Sequence, residues 1–269
     1  MLRKYIKHEF YETGKLMIPL NLVIIVYTIL GAIMLGSRLI MANTPMVFIG
    51  VISLVLYVLS LIAIFIVAYV YFTVRFYKTM YQSQGYLTHT LPLSTMGIVN
   101  TKLLVSACWM VLTVVITTLS IVALVASAIG REWGQEFYET FNDYSSFTTF
   151  SFAGFSLWYF FLLVLGCLQQ LLMIYASLAI GQLCRQYRVL ASIGAFIAFY
   201  MAIQVVNTVI MFVTQLFSIN DSFIYERENE IFSQVFGRQL TMSTIMCILL
   251  CILFYFLCYW LTDKKLNLE

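Results

Sequence analysis

Two short segments near the N-terminus contain residue types that metal and nucleotide chemistry use. The segment "HEFYE" begins at His8 like the H-E-x-x-H helix of zinc proteases, but Glu12 occupies the position of the second histidine ligand. The dipeptide Gly14-Lys15 resembles the end of a nucleotide-binding P-loop, but Leu16 follows it where that loop requires Ser or Thr. The sequence therefore predicts neither a zinc site nor ATP hydrolysis by this chain.

The six cysteines form no recognisable zinc motif or disulfide framework. Each of them lies in an apolar run or beside one, at Cys108, Cys167, Cys184, Cys247, Cys251 and Cys258. The last three follow helical spacing on one run, and we interpret them as small packing side chains. The chain is accordingly predicted to be no enzyme and to hold no cofactor of its own.

A third segment, "QGYLTHTLPLS", is a shaped polar turn between two long apolar runs. Gly85 suits the left-handed position that ends a helix. Pro92 pushes Leu91 towards extended geometry, and Ser94 is a suitable N-cap for the next helix. The segment 84–94 is therefore predicted to form an elbow between two helices.

Three apolar side chains project from this elbow, namely Tyr86, Leu87 and Leu91. Apolar side chains on a polar loop suit docking into the groove of another protein, because interface energy concentrates in a few such anchors. The alternative is a hairpin whose apolar residues pack against its own helix ends.

The elements that carry these segments are predicted from composition. The chain is 62% hydrophobic and only 10% charged, whereas soluble domains contain about 25% charged residues. Six stretches reach the roughly 20 apolar residues needed to cross a bilayer. They are Leu16–Leu35, Met46–Phe72, Leu103–Ile129, Phe155–Gly181, Val189–Phe217 and Leu240–Thr262. We therefore expect an all-α polytopic membrane protein, in which the aromatic segment 144–155 is interfacial or re-entrant.

Basic residues predict the orientation of the spans. Most Lys and Arg side chains fall in the N-terminal segment, the loop 75–102, the loop between the fourth and fifth spans, and the C-terminal tail. Most acidic side chains fall in the loops 130–154 and 218–239. The positive-inside rule then makes the first group and both termini cytoplasmic. We expect a multi-pass protein of the plasma membrane, whose net charge of +3 follows from topology and indicates no nucleic acid partner.

Residues 1–15 have the periodicity of an amphipathic helix. Leu2, Tyr5, Ile6 and Phe10 share one face and most charged side chains share the other, with Glu9 as an exception. We predict an interfacial helix that anchors the chain to lipid or also contacts a cytoplasmic subunit. The predicted domains are this helix, residues 1–15, and a six-helix transmembrane domain, residues 16–269.

Two spans carry uncharged polar stripes that are candidates for a substrate path. The fifth span has Gln204, Asn207, Thr208 and Gln215, and the second has Ser53, Tyr57 and Ser60. The alternative is hydrogen bonding between helices. No Asp, Glu, Lys, Arg or His falls inside the predicted spans, which argues against an ion-coupled transporter or pump working alone. An amphiphilic or peptide-like substrate therefore fits these stripes better than a small ion.

The sequence "FYKTMYQSQGYLTHTLPLSTMGIVNTKLL", residues 76–104, resembles the cytoplasmic loop of ATP-binding-cassette type-2 permeases, particularly small bacterial ones. The shared pattern is GYL-T-x-T-LP-x-S followed by a Lys. The resemblance implies the type-2 permease architecture, as in type V exporters, with this loop as the coupling helix. The residues it implies for ATPase docking are Gln84, Gly85, Tyr86, Leu87, Thr88, Leu91 and Pro92.

The same resemblance implies partners and a function. The partners are an ATPase subunit in two copies, which binds ATP and Mg, and a second permease chain that is identical or different. The second and fifth spans would face the axis between the two permease chains. The function would be ATP-driven export of a peptide, antibiotic or lipid-like amphiphile. Two alternatives stay open at this point: the substrate-binding membrane subunit of a vitamin importer, and a non-transporting immunity or sensor protein.

The predicted orientation can be tested by labelling. Single cysteines introduced as Glu136→Cys or Glu228→Cys should react with an impermeant thiol reagent applied from outside, because both lie in the acidic loops. Lys265→Cys should react only after the membrane is permeabilised. The opposite pattern of labelling would reverse the orientation.

Overall fold

The computed structural model describes residues 2–36, 44–82, 95–145, 152–184, 186–222 and 228–264. These residues form six helices: α1 (Leu2–Gly36), α2 (Thr44–Tyr81), α3 (Thr95–Ser145), α4 (Phe152–Gly181), α5 (Arg188–Ser222) and α6 (Glu228–Lys264). All six are long and apolar enough to cross a membrane. The predicted all-helical class is confirmed for the described residues, which contain as many helices able to cross a membrane as the six predicted spans.

The helices satisfy their polar groups internally, as a hydrocarbon surrounding requires. Several Ser and Thr hydroxyls donate to backbone carbonyls one turn earlier in their own helix. Thr13 donates to the Glu9 carbonyl at 2.8 Å, and Thr113 donates to the Trp109 carbonyl at 3.0 Å. A hydroxyl bonded in this way adds little polarity to the helix surface.

Helix α1 shows no break at the boundary predicted between residues 15 and 16. It continues without a break from Leu2 to Gly36 and includes Pro19, so residues 1–15 share one helix with the first predicted span. Its 35 residues extend about 50 Å at about 1.5 Å per residue, beyond the hydrocarbon core of about 30 Å. Pro19 cannot donate the backbone hydrogen bond that would reach the Lys15 carbonyl, and α1 nevertheless continues through it.

The predicted outer loops are also shorter than expected. Helix α3 runs on to Ser145, so most of the loop predicted at 130–154 is helical. Helix α5 ends at Ser222 and α6 begins at Glu228, inside the loop predicted at 218–239. The predictions ended each helix where hydropathy falls, but a helix that leaves the lipid keeps its backbone hydrogen bonds and can continue in water.

The chain divides into two compact units, Met1–Glu136 and Phe137–Glu269. The first unit contains α1, α2 and most of α3. Its helices meet through aromatic and polar contacts: the Phe10 and Trp109 rings stack at 5.0 Å, and the Trp109 indole donates to Thr13 at 2.9 Å. These contacts fix α1 against α3.

The second unit contains α4, α5 and α6. The Trp158 indole of α4 donates to Thr244 of α6 at 3.0 Å, and the Phe199 ring of α5 meets the Phe254 ring of α6 edge-on at 5.1 Å. The buried centre of this unit is formed by a stretch of α4 that includes Tyr175, together with Phe254 and Cys258 of α6. Helix α4 therefore packs against both of its neighbours in this unit.

The end of α4 approaches the start of α5 closely at Gly181. A Cβ atom at this glycine would lie 2.7 Å from both the Arg188 carbonyl oxygen and the Ser192 nitrogen. Both atoms belong to the backbone and cannot rotate away. Gly194, further along α5, offers a matched control, because a Cβ there meets nothing within 4 Å.

We expect Gly181→Ala to lower the thermal stability of the purified protein by an amount equivalent to about 1–3 kcal/mol, the usual cost of overpacking. Gly194→Ala should leave it close to wild type. The measurement is the midpoint of thermal unfolding in lipid nanodiscs. The protein that remains folded at each temperature is quantified by fluorescence-detected size-exclusion chromatography. Indistinguishable midpoints for the two variants would contradict the close approach.

Candidate functional site

The segment predicted to dock an ATPase lies outside the described residues, which stop at Gln82 and resume at Thr95. Its predicted docking residues, from Gln84 to Pro92, therefore stay a prediction. The two flanking helices are described, α2 up to Tyr81 and α3 from Thr95 onwards. The candidate site can thus be examined from the helices that hold the segment.

Three charged side chains meet beside those flanks. The Glu9 carboxylate of α1 accepts a hydrogen bond from Lys102 Nζ of α3 at 2.6 Å, and its other oxygen pairs with the Arg75 guanidinium of α2. Glu9 is only 5% exposed and Lys102 only 6%. We call Glu9, Arg75 and Lys102 the Glu9 cluster.

The surroundings of the Glu9 cluster are aromatic. Lys102 Nζ lies 5.8 Å from the centre of the Tyr5 ring, a distance at which an ammonium is attracted by the ring face. Arg75 donates to the Tyr71 hydroxyl at 3.4 Å, whereas its buried Nε has no partner among the described residues. The cluster thus combines one carboxylate with two cations and carries a formal charge of +1.

The Glu9 cluster lies close to the end of α2 and the start of α3. Arg75 lies about two turns before the end of α2 at Tyr81, and Lys102 lies about two turns after the start of α3 at Thr95. One carboxylate of α1 therefore binds both helices on either side of the segment 84–94. It fixes the separation of the two helix ends from which that segment begins and returns.

Sequence reasoning did not find the Glu9 cluster. It noted Glu9 only as an acidic exception on an otherwise regular amphipathic pattern, and it assigned Arg75 and Lys102 to a cytoplasmic loop. The place of Glu9 on the apolar face was the signal in the sequence that could have revealed the cluster. An acidic side chain on a buried helix face needs a cationic partner. Which cations supply it depends on packing between helices that are far apart in sequence.

The second-span candidates for a substrate path are engaged within the first unit. Tyr57 is buried, and its hydroxyl lies 2.5 Å from that of Ser120 on α3. Ser53 and Ser60 donate to carbonyls of α2 itself, at 2.8 and 2.7 Å. This geometry is the hydrogen bonding between and within helices that was the alternative for these residues.

The fifth-span candidates are arranged differently. Gln204, Asn207 and Thr208 line a cavity of about 430 Å³ between α4, α5 and α6, while the side chain of Gln215 lies outside what the structure describes. The polar lining consists of Gln169, Gln204, Asn207, Thr208, Gln239 and Ser243. The structure thus brings three of the four predicted residues together and adds three that the stripe did not include. We call this space the polar cavity.

Hydrogen bonds hold the walls of the polar cavity. The Cys247 thiol of α6 donates to the side-chain amide oxygen Oε1 of Gln169 of α4 at 2.8 Å. Thr214 of α5 donates to the Gln239 side chain of α6 at 3.0 Å, and Gln204 donates to the Tyr200 hydroxyl at 3.0 Å. No charged side chain belongs to this lining, and the described residues include no group of His, Cys, Asp and Glu that could hold a metal.

No protein-family model, no curated protein and no solved structure matches the chain. The case for a function therefore rests on its own residues. These are the segment 76–104, the Glu9 cluster beside it, and the polar cavity of the second unit.

The Glu9 cluster should dominate the stability of the first unit. We expect Glu9→Gln to destabilise the protein by about 3–5 kcal/mol, since it leaves Arg75 and the buried Lys102 without their carboxylate. The matched control is Glu12→Gln, because the Glu12 carboxylate pairs with Lys15 at the exposed surface, where water screens the interaction. The measurement is the thermal midpoint of each variant in nanodiscs.

A second variant separates charge from packing. Glu9→Gln combined with Lys102→Met removes the most deeply buried unpaired cation and should recover part of the lost stability. Equal midpoints for Glu9→Gln and Glu12→Gln would show that the cluster does not hold the three helices together.

Proposed function

We propose that the chain is the membrane-spanning permease subunit of an ATP-binding-cassette transporter of the type-2 kind, which exports a peptide, antibiotic or lipid-like amphiphile. The observation that carries this proposal is the segment 76–104, with its GYL-T-x-T-LP-x-S pattern between two membrane-spanning helices. The turn predicted there, with three predicted apolar anchors, is suited to binding another protein.

The chain needs such a partner because its sequence contains no P-loop. Energy from ATP must then cross a protein–protein contact on the cytoplasmic side. In this proposal the ATPase binds the elbow 84–94, and the Glu9 cluster passes its displacement to α1, α2 and α3 together. The ion pairs that join α2 and α3 through Glu9 support this role. A loop between two helices that were not joined would move by itself and would not transmit the displacement.

The proposal includes the assembly that the resemblance implies. Two ATPase copies with bound ATP and Mg would serve two permease chains in the plasma membrane. Most of the α5 surface is free to contact a second permease chain. In the described part of that helix, the side chains that are buried are those of Ser192 and Thr214. Lipid satisfies an exposed apolar face as well as a protein does, so this exposure alone names no partner.

The docking role is tested on Tyr86 and Gly85. We expect Tyr86→Ala, or Gly85→Val, to leave membrane insertion intact but to abolish most ATPase co-purification, or to uncouple hydrolysis from transport if the complex survives. The matched control is Tyr187→Ala, because Tyr187 is 69% exposed and lies in the other predicted cytoplasmic loop. The measurement is a pull-down followed by a transport assay.

Two results would contradict the proposal. Wild-type association and activity in both variants would leave the elbow an ordinary hairpin. Failure of any ATPase to co-purify with the wild-type chain, with ligand binding retained, would instead favour the non-transporting sensor or immunity protein.

A further inference from the structure

We propose that the polar cavity of the second unit is a binding site for an uncharged amphiphile whose head carries several peptide amides. This inference rests on the proposed function only in treating such a ligand as the exported substrate. The binding itself requires no ATPase, so it can be measured on the chain alone.

The cavity has the construction of a ligand site. Its volume of about 430 Å³ falls within the roughly 300–1,000 Å³ typical of small-molecule sites. Its walls come from three helices of one unit, and they are joined by the Cys247–Gln169 and Thr214–Gln239 hydrogen bonds. The walls are therefore held in place without a ligand, which lowers the entropic cost of binding.

The lining has hydrogen-bonding capacity that the chain does not use. Within the described ranges, the Asn207 and Ser243 side chains make no hydrogen bond, and the Gln169 side chain makes only the one it accepts from Cys247. The Thr208 hydroxyl donates a hydrogen bond to the backbone carbonyl of Gln204 at 2.8 Å. Unpaired amides are costly at membrane depth, so either water or a polar ligand must satisfy these groups.

The chemistry of the lining selects the class of that occupant. Gln169, Gln204, Asn207 and Gln239 each offer an amide, which donates and accepts at adjacent atoms as a peptide group does. No charged side chain belongs to the lining, so an ionised head would lose its hydration without gaining a partner. The remaining walls are aliphatic, including Leu162, Ile203 and Leu250, and suit a hydrocarbon tail.

The cavity lies on one side of the second unit. Its residues run from the middle of α4 to Gln239 near the start of the apolar part of α6, away from the connection between Gly181 and Arg188. With the predicted orientation this is the outer half of the membrane. A substrate bound there has already left the cytoplasmic side.

The experiment uses a cysteine reporter in the cavity. Thr208→Cys replaces an exposed lining residue with one of similar size, and native Cys184, exposed beyond the end of α4, serves as the internal reference. The chain is placed in nanodiscs without ATPase or ATP. The rate of labelling by N-ethylmaleimide at each position is then read by peptide mass spectrometry in the same sample.

Three probes of equal chain length are compared: N-lauroyl-trialanine amide, which is uncharged, N-lauroyl-trialanine with a free carboxylate, and trialanine dodecylamide with a free amine. At ten times its dissociation constant, the uncharged probe should slow labelling at position 208 about tenfold, because only about a tenth of the sites remain free. Labelling of Cys184 should not change. The charged probes should slow neither position.

Variants assign the protection to the lining. Adding Gln204→Leu should raise the concentration needed for half protection about fivefold, the effect of one net hydrogen bond. Gln169→Leu should do the same, whereas Gln170→Leu should not, because Gln170 adjoins it in sequence but does not line the cavity. If Gln169→Leu does not fold, the comparison of Gln204→Leu with Gln170→Leu still decides the matter.

Three results would overturn the inference. They are unchanged labelling at position 208 with the uncharged probe, equal protection by the charged probes, and protection that survives Gln204→Leu undiminished. None of them bears on the ATPase pull-down, and loss of the pull-down would not alter the protection measured here. The two proposals can therefore fail separately.

Discussion

Glu9 forms ion pairs with two cations that belong to different helices, and the arrangement of the first unit depends on this contact. Lys102 is almost fully buried, and Arg75 is partly buried. Either cation alone would oppose the approach of α2 and α3 to a common apolar surface. With the carboxylate of α1 between them, the three helices can pack, and the first turns of α1 become part of the bundle. Those turns cannot lie separately on the membrane surface without leaving the cations unpaired.

The helix count was predictable because a single physical quantity determines it. A run of about 20 apolar residues must form a helix in lipid, since no other single segment satisfies its own backbone. The helix ends were less predictable. In α1 and α3, hydropathy marks where the chain leaves the lipid, but the helix continues because nothing in the sequence stops it. The helices α1 and α3 therefore extend beyond the predicted span boundaries at Leu16 and Ile129.

The candidate sites show what periodicity can and cannot detect. Gln204, Asn207 and Thr208 of the predicted stripe lie on one wall of the polar cavity, because a helix face repeats at a fixed interval. Gln239 and Ser243 form no such stripe, so their place in the lining follows only from how α6 packs against its neighbours. Tyr57 shared the same kind of pattern and proved to be bonded to Ser120. A polar stripe therefore identifies a face but not its occupant.

The length of α3 gives the first unit a property of its own. Helix α3 has 51 residues, and about 50 Å separate Lys102 from position 136 along its axis at about 1.5 Å per residue. A stiff rod of that length works as a lever arm, in which a tilt of about 10° at one end moves the other by roughly 9 Å. Because Lys102 is clamped to Glu9 near one end, a small rearrangement of that clamp is magnified at the far end of the helix. Mechanical amplification is thus a consequence of a helix that does not stop where the lipid does.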